Sequence, residues 1–293
     1  MKFFPRTIAC LFTATVGLCS IHAAKVAQPI QGAEHLAYKV IGGCKLILNA
    51  YFPEGHKRQQ DQRPAVVFFF GGGWNGGSPS QFATHCEYLA SRGMVAMTAD
   101  YRVKSRQGTT PFDCVEDGKS AIRYVRQHAK KLGVDPNRIA AGGGSAGGHV
   151  AAATATVPGL ESEDENKKIS SKPDALILFN PVYDNGPKGY GYDRVQGRYL
   201  EISPIHNLRK GVPPSIVFLG DQDKLIPVST AERFKSLAEK AGGRSDLHVY
   251  KNKPPRFFNQ GKAGNFFERT VFEMDRFLSS LGWLNGEPTI QVP

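Results

Sequence analysis

Between residues 36 and 281, short runs of β-branched and aromatic residues alternate with helical patterns, and this alternation limits the possible folds more than any other feature. Parallel strands cannot be joined by a tight turn. They need a crossover, usually a helix, so a β-α-β-α order implies a sheet covered on both faces. Strands are expected at Leu36–Ile41, Lys45–Phe52, Ala65–Phe70, Val95–Tyr101, Arg138–Ala141, Ala175–Asn180, Ser215–Leu219 and Leu247–Tyr250. Helices are expected at Ser80–Ser91, Val115–Leu132, Ala146–Thr156, Ser229–Ala241 and Phe266–Leu281. Only Gly42-Gly43 separates the first two strands, which therefore form an antiparallel hairpin. Phe68-Phe69-Phe70 suits a strand with both faces buried. The expectation is a single α/β domain over residues 24–293: a mostly parallel eight-stranded sheet with helices on both faces. Glu161–Lys172 should be a polar surface loop. A cap-like excursion at about 181–213 lies within Asn180–Pro214, which carries four tyrosines.

At 293 residues and 41% hydrophobic, the chain can bury a core without disulfides or metals. Lysine and arginine number 37 against 26 acidic residues, a formal charge of +11. The basic residues are spread along the chain, no denser anywhere than the pair Lys130-Lys131. Without arginines interleaved with aromatics no nucleic-acid partner is expected; diffuse basicity suits polyanionic surroundings. Residues 1–23 read as a signal peptide: Lys2 and Arg6, an uncharged stretch from Thr7 to Ile21, then Ala23 and Ala24. That stretch is too short and too polar for a good membrane span, so no stable membrane insertion is expected. The expected location is periplasmic or extracellular. Beyond the leader stand Cys44, Cys86 and Cys114, which form at most one bridge or remain three buried thiols. Neither a CxxC pair nor a histidine cluster accompanies them, so no metal and no cofactor are expected.

The segment from Arg138 to Ala152 carries the chemistry. A strand runs into Gly143-Gly144-Ser145-Ala146-Gly147 and on into an Ala-rich helix. In that context G-x-S-x-G is a nucleophile elbow, with the serine lifted above the sheet and glycines where side chains would collide. The helix start behind Ser145 offers backbone N–H groups to a developing oxyanion, Ala146 first among them. Upstream, Gly71-Gly72-Gly73-Trp74 follows a strand end, and the amides of Gly72 and Gly73 are candidates for the rest of an oxyanion hole. The overlapping Gly142-x-Gly144-x-x-Gly147 also fits a dinucleotide fingerprint. It does not open the first βα unit, however, and the next strand ends in Asn180 rather than an acid.

On these motifs the chain resembles the α/β-hydrolase superfamily, and within it exported carboxylesterases of the lipase-like and dienelactone-hydrolase-like type, including feruloyl and acetyl esterases. Ala99-Asp100-Tyr101-Arg102 and Asp117-Gly118-Lys119-Ser120-Ala121 add to the resemblance, which extends from Leu36 to Trp283. Gly220-Asp221-Gln222-Asp223-Lys224-Leu225-Ile226-Pro227 looks like the family's acid loop. The resemblance implies that Ser145 is the nucleophile and Asp223 the orienting acid, with Asp221 as the alternative. The implied substrate is a small-molecule or polysaccharide ester. Trp74, Tyr183, Tyr190 and Arg256 are candidates for its pocket.

Two adjacent positions depart from the pattern. The histidine should follow the acid in a motif like Pro-His-Gly-Phe-Phe-Asn, where this chain has Pro254-Pro255-Arg256-Phe257-Phe258-Asn259. Pro255 stands in the histidine's place and Arg256 in the glycine's. Of the eight histidines only His248 follows the acid, and it falls inside an expected strand. His149, on the helix of Ser145, is expected to be packed, and His85 to lie on a helix surface. Two readings follow: a secreted serine esterase with turnover impaired at Pro255, or an inactive relative that binds a ligand or carbohydrate in the same pocket. The leader is tested by intact mass on exported protein: cleavage after Ala23 gives a chain beginning at Ala24, and an uncleaved Met1 refutes it.

Overall fold

A computed structural model describes residues 1, 28, 30–262, 264 and 266–292; the expected signal peptide lies outside the described residues apart from Met1. The strands are β1 (Glu34–Ile41), β2 (Cys44–Tyr51), β3 (Arg63–Phe69), β4 (Val95–Ala99), β5 (Val134–Gly144), β6 (Ala175–Phe179), β7 (Ser215–Gly220) and β8 (Ser245–Tyr250). The helices are α1 (Ala83–Ser91), α2 (Lys104–Gln107), α3 (Pro111–Gln127), α4 (Ala129–Leu132), α5 (Ala146–Thr156), α6 (Val228–Lys240) and α7 (Phe266–Ser280). All eight strands join one sheet in the order β1-β2-β4-β3-β5-β6-β7-β8. The β1–β2 and β2–β4 pairs are antiparallel, and every pair from β4 to β8 is parallel.

The core lies on both faces. Phe69, Val67 and Leu178 face a cluster filled by α3, α5 and α6, with Ile122, Val150 and Phe234 among its members. Phe68, Val66 and Phe179 face a second cluster filled by α1 and α7, including Cys86, Leu89, Val271 and Met274. The adjacent phenylalanines therefore alternate between two apolar layers, as a doubly covered strand requires. Cys44, Cys86 and Cys114 are free thiols, each buried.

Several boundaries differ from expectation. β5 starts at Val134 rather than Arg138, because Arg63 pairs with Val134 before a register shift; the turn formers Asp135-Pro136-Asn137 conceal this in the sequence. The long helix is broken at His128 into α3 and α4, without a glycine or proline to mark the break. A capping box of Thr110 and Asp113 and the proline at its first position start α3 four residues before Val115.

Charge fastens the front of the sheet. Asp117 of α3 accepts from Arg102 Nε and Nη2, each at 2.8 Å, and pairs with Lys39 of β1 at 2.9 Å. Lys39 also reaches Glu116 at 2.6 Å. Arg106 pairs with Asp100 at 2.6 Å, and the Tyr101 hydroxyl donates to the Phe70 carbonyl at 2.6 Å. The Asp100-Tyr101-Arg102 run thus holds the end of β3 and the loop that leaves it.

A tight seam lies where β5 turns into α5. A Cβ on Gly147 would stand 2.1 Å from the Phe69 carbonyl oxygen and 2.4 Å from that of Phe70. Neither oxygen can retreat without moving β3. Gly147→Ala should therefore lower unfolding stability by about 3 kcal/mol, measured by urea denaturation; an unchanged midpoint would show that the seam has slack.

Candidate active site

Ser145 follows β5 and precedes α5 with φ 53° and ψ −118°, a backbone that a side-chain-bearing residue rarely adopts. Its amide donates to the Phe179 carbonyl at 2.9 Å, and its carbonyl accepts from Val182 at 3.2 Å and His149 at 3.0 Å. Neighbouring segments thus hold the strained turn on both sides. Ser145 is half-buried, and it opens into a cleft of about 570 Å³ with Gly71, Gly72, Gly73, Asn180 and Asp223.

The glycine run approaches from β3. A Cβ built on Gly71 would lie 3.3 Å from Ser145 Cβ, so the loop and the elbow are in close contact. The Gly71 amide is taken by Gln81 Oε1 at 2.7 Å, and Gln81 Nε2 donates to Asn259 Oδ1 at 3.2 Å. The amides of Gly72, Gly73 and Ala146 have no acceptor among the described residues. Gly72 and Gly73 line the cleft; Ala146 is fully buried at the first position of α5, where a helix leaves its N–H groups free.

Asp223 is 5% exposed and lines the cleft. Its Oδ1 accepts from the amides of Leu225 at 2.9 Å and Ile226 at 3.0 Å, and Oδ2 accepts from Asn180 Nδ2 at 3.4 Å. Asp221 is exposed and binds the Asn252 amide at 2.7 Å, outside the cleft. Between the two acids, the structure brings Asp223 to Ser145.

No imidazole lines the cleft among the described residues. His248 sits in β8, 5.5 Å from the Phe218 ring. His149 is buried edge-on against Trp74, and desolvation pushes it down to about 4. His85 corrects an expectation. It is buried, not on a helix surface, enclosed by Phe68, Phe82, Phe179, Phe258 and Phe267, and desolvation pushes it down to about 3. A dry aromatic nest favours the neutral ring.

Of the pocket candidates, Tyr190 and Arg256 line the cleft. Trp74 and Tyr183, expected there, do not: Trp74 is 2% exposed, and Tyr183 is fully buried, stacked on Phe234 at 3.9 Å. Of the four tyrosines in the excursion, Tyr190 alone lines it. Arg256 adopts φ 70°, the backbone expected where the sequence pattern called for glycine. The cleft also contains Arg194, Asn75 and Gln81, which motif reading did not single out. Arg194 Nη1 donates to the Gly73 carbonyl at 2.6 Å and its guanidinium lies over the Tyr190 ring. Its place within the tyrosine-rich excursion was the available signal.

The BD-FAE family model matches residues 48–185. The fold superposes on esterase 2 of Thermogutta terrifontis with a TM-score of 0.85 and 46% identity, covering 88% of this chain and 97% of that one. Esterase LipC of Mycobacterium tuberculosis is 31% identical over 58% of this chain and 47% of its own length. An acetylxylan esterase of Xylanibacter ruminicola is 26% identical over 69% of this chain and 41% of its own. The chain thus spans about half the length of these curated relatives.

Burial raises the Asp223 pKa, against the opposing pull of its hydrogen bonds from Ile226, Leu225 and Asn180. An acid whose folded pKa is raised weakens the fold when ionised. Asp223→Asn keeps an acceptor for the two amides and removes the charge. It should melt a few degrees above the parent at pH 7–8. The difference should shrink as pH falls through the raised folded value and vanish below the unfolded one. Thermal melts across pH test this; a less stable variant at neutral pH would show that the ionised carboxylate is favourably held.

Proposed function

The chain belongs to the α/β-hydrolase carboxylesterases, and on that premise we propose that it is an exported serine hydrolase of small carboxylic esters, acting through an acyl-enzyme on Ser145. One observation carries the reading: a strained serine, two glycine amides without acceptors and a buried carboxylate share one cleft. In the proposed step Ser145 Oγ attacks the ester carbonyl. The N–H groups of Gly72, Gly73 and Ala146 donate to the oxyanion that forms. Collapse expels the alcohol, and water then releases the acid. Short acyl groups are the proposed substrates, in keeping with the propionate and butyrate bound in structures of the Thermogutta enzyme.

Among the described residues no imidazole lines the cleft to receive the hydroxyl proton, and water must take it. Removing the base from such a triad costs about 10⁶ in kcat. The oxyanion donors and binding alone retain roughly 10³–10⁴ over water. Slow turnover follows. A second reading, ligand binding without turnover, rests on Arg256 and Arg194: both line the cleft, and neither pairs with a carboxylate among the described residues. Two guanidinium groups beside free amides would suit a carboxylate or sulfate.

Turnover of p-nitrophenyl acetate and intact mass after paraoxon treatment separate the two. The esterase reading expects slow turnover and a phosphoryl adduct, both lost in Ser145→Ala. It also expects Pro255→His/Arg256→Gly to raise kcat by roughly 10²–10⁴. Parent turnover equal to that of Ser145→Ala, with no gain in the double variant, overturns it in favour of ligand binding.

A further inference from the structure

The structure contains a second depression, of about 470 Å³, lined by residues before β6 and β7 and after α5. Ser145 stands at the start of α5, and Thr154 to Pro158 line the depression at its other end. Eleven residues of helix span about 16 Å, so the two sites occupy opposite ends of the sheet. β6 and β7 run parallel, with Leu176 opposite Ser215, which places the segments leading into them side by side. Lys167, Lys168 and Lys172 lie on one segment and Arg209 and Lys210 on the other. Strand pairing therefore concentrates basic residues that look dispersed in the sequence.

The charge there is not neutralised locally. Seven of the lining side chains are cationic and one, Glu161, is acidic. Glu161 is engaged by Lys119 at 3.0 Å and by Arg123, which also pairs with Glu165. None of Lys167, Lys168, Lys172, Arg209 or Lys210 forms an ion pair among the described residues; Lys172 Nζ donates to the Gly211 carbonyl. Glu163 and Asp164 belong to the same loop but do not line the depression. Five cations around one concavity exceed what a single small anion needs, and match several charges held along a chain.

We propose that this depression is a docking site for an acidic polysaccharide bearing carboxylate or sulfate groups. No aromatic side chain lines it, so it offers no platform for stacking nucleobases. The cations surround a hollow, whereas an element lying on a membrane needs a projecting apolar face. Binding here would hold the protein on a polymer while the Ser145 cleft, at the other end, stays open.

The full chain is titrated with polygalacturonate and dextran sulfate, with neutral dextran and inorganic sulfate as controls. Binding to both acidic polymers, falling with added salt, is expected, with none to dextran and far weaker binding to free sulfate. Lys168→Gln/Lys172→Gln/Arg209→Gln should weaken polymer binding by about tenfold or more, with an unchanged circular dichroism spectrum and melt. Arg256→Ala should bind like the parent. If the triple variant stays folded and binds as tightly as the parent, the site is wrong. Loss of binding in Arg256→Ala would move it to the Ser145 cleft. Duplex DNA or anionic vesicles bound as tightly per charge, or free sulfate bound as tightly as the polymers, would refute the proposed partner.

Discussion

Gly147 rests on the carbonyl oxygens of Phe69 and Phe70 so closely that a single methyl group would drive β3 and α5 apart. The rest of the site depends on this contact. It fixes the start of α5 against the end of β3, and so fixes Ser145 against the loop beginning at Gly71. A serine at φ 53° is unfavourable in isolation. It persists because bonds to Phe179, Val182 and His149 hold it from three directions.

The loop opposite is held just as firmly, by hydrogen bonds from residues on both sides of it. The Tyr101 hydroxyl binds the Phe70 carbonyl, while Trp74 and Asn75 accept from the amides of Lys104 and Ser105. Gln81 occupies the Gly71 amide, leaving those of Gly72 and Gly73 unclaimed. The two glycines need no flexibility to present their N–H groups, because the surrounding bonds have already set their direction.

Much of this was legible in the sequence, since it depends on local pattern. The hairpin, the parallel sheet and the serine between its glycines each follow from a period or a turn requirement that neighbouring residues enforce. Pro255 and Arg256 were also conspicuous, and the positive φ at Arg256 agrees with a glycine position now filled by another residue. What stayed hidden depends on distant partners. Trp74 sits beside the glycine run yet points into the core against His149. His85 falls at a plausible surface spacing on its helix but is enclosed by rings from β3, β6 and α7. The contact of Arg194 with the Gly73 carbonyl and the clustering of the cations before β6 and β7 arise through tertiary contacts, which no linear motif encodes.

Lys39 adds a consequence for the open edge of the sheet. Its ammonium group, on β1, bridges Glu116 and Asp117 of α3, and Asp117 also anchors Arg102. The marginal strand, which would ordinarily fray first, is thereby electrically clamped to the interior. Peeling it away would strand a buried carboxylate with one counter-ion fewer, so the outermost ribbon should come loose only when the whole domain opens.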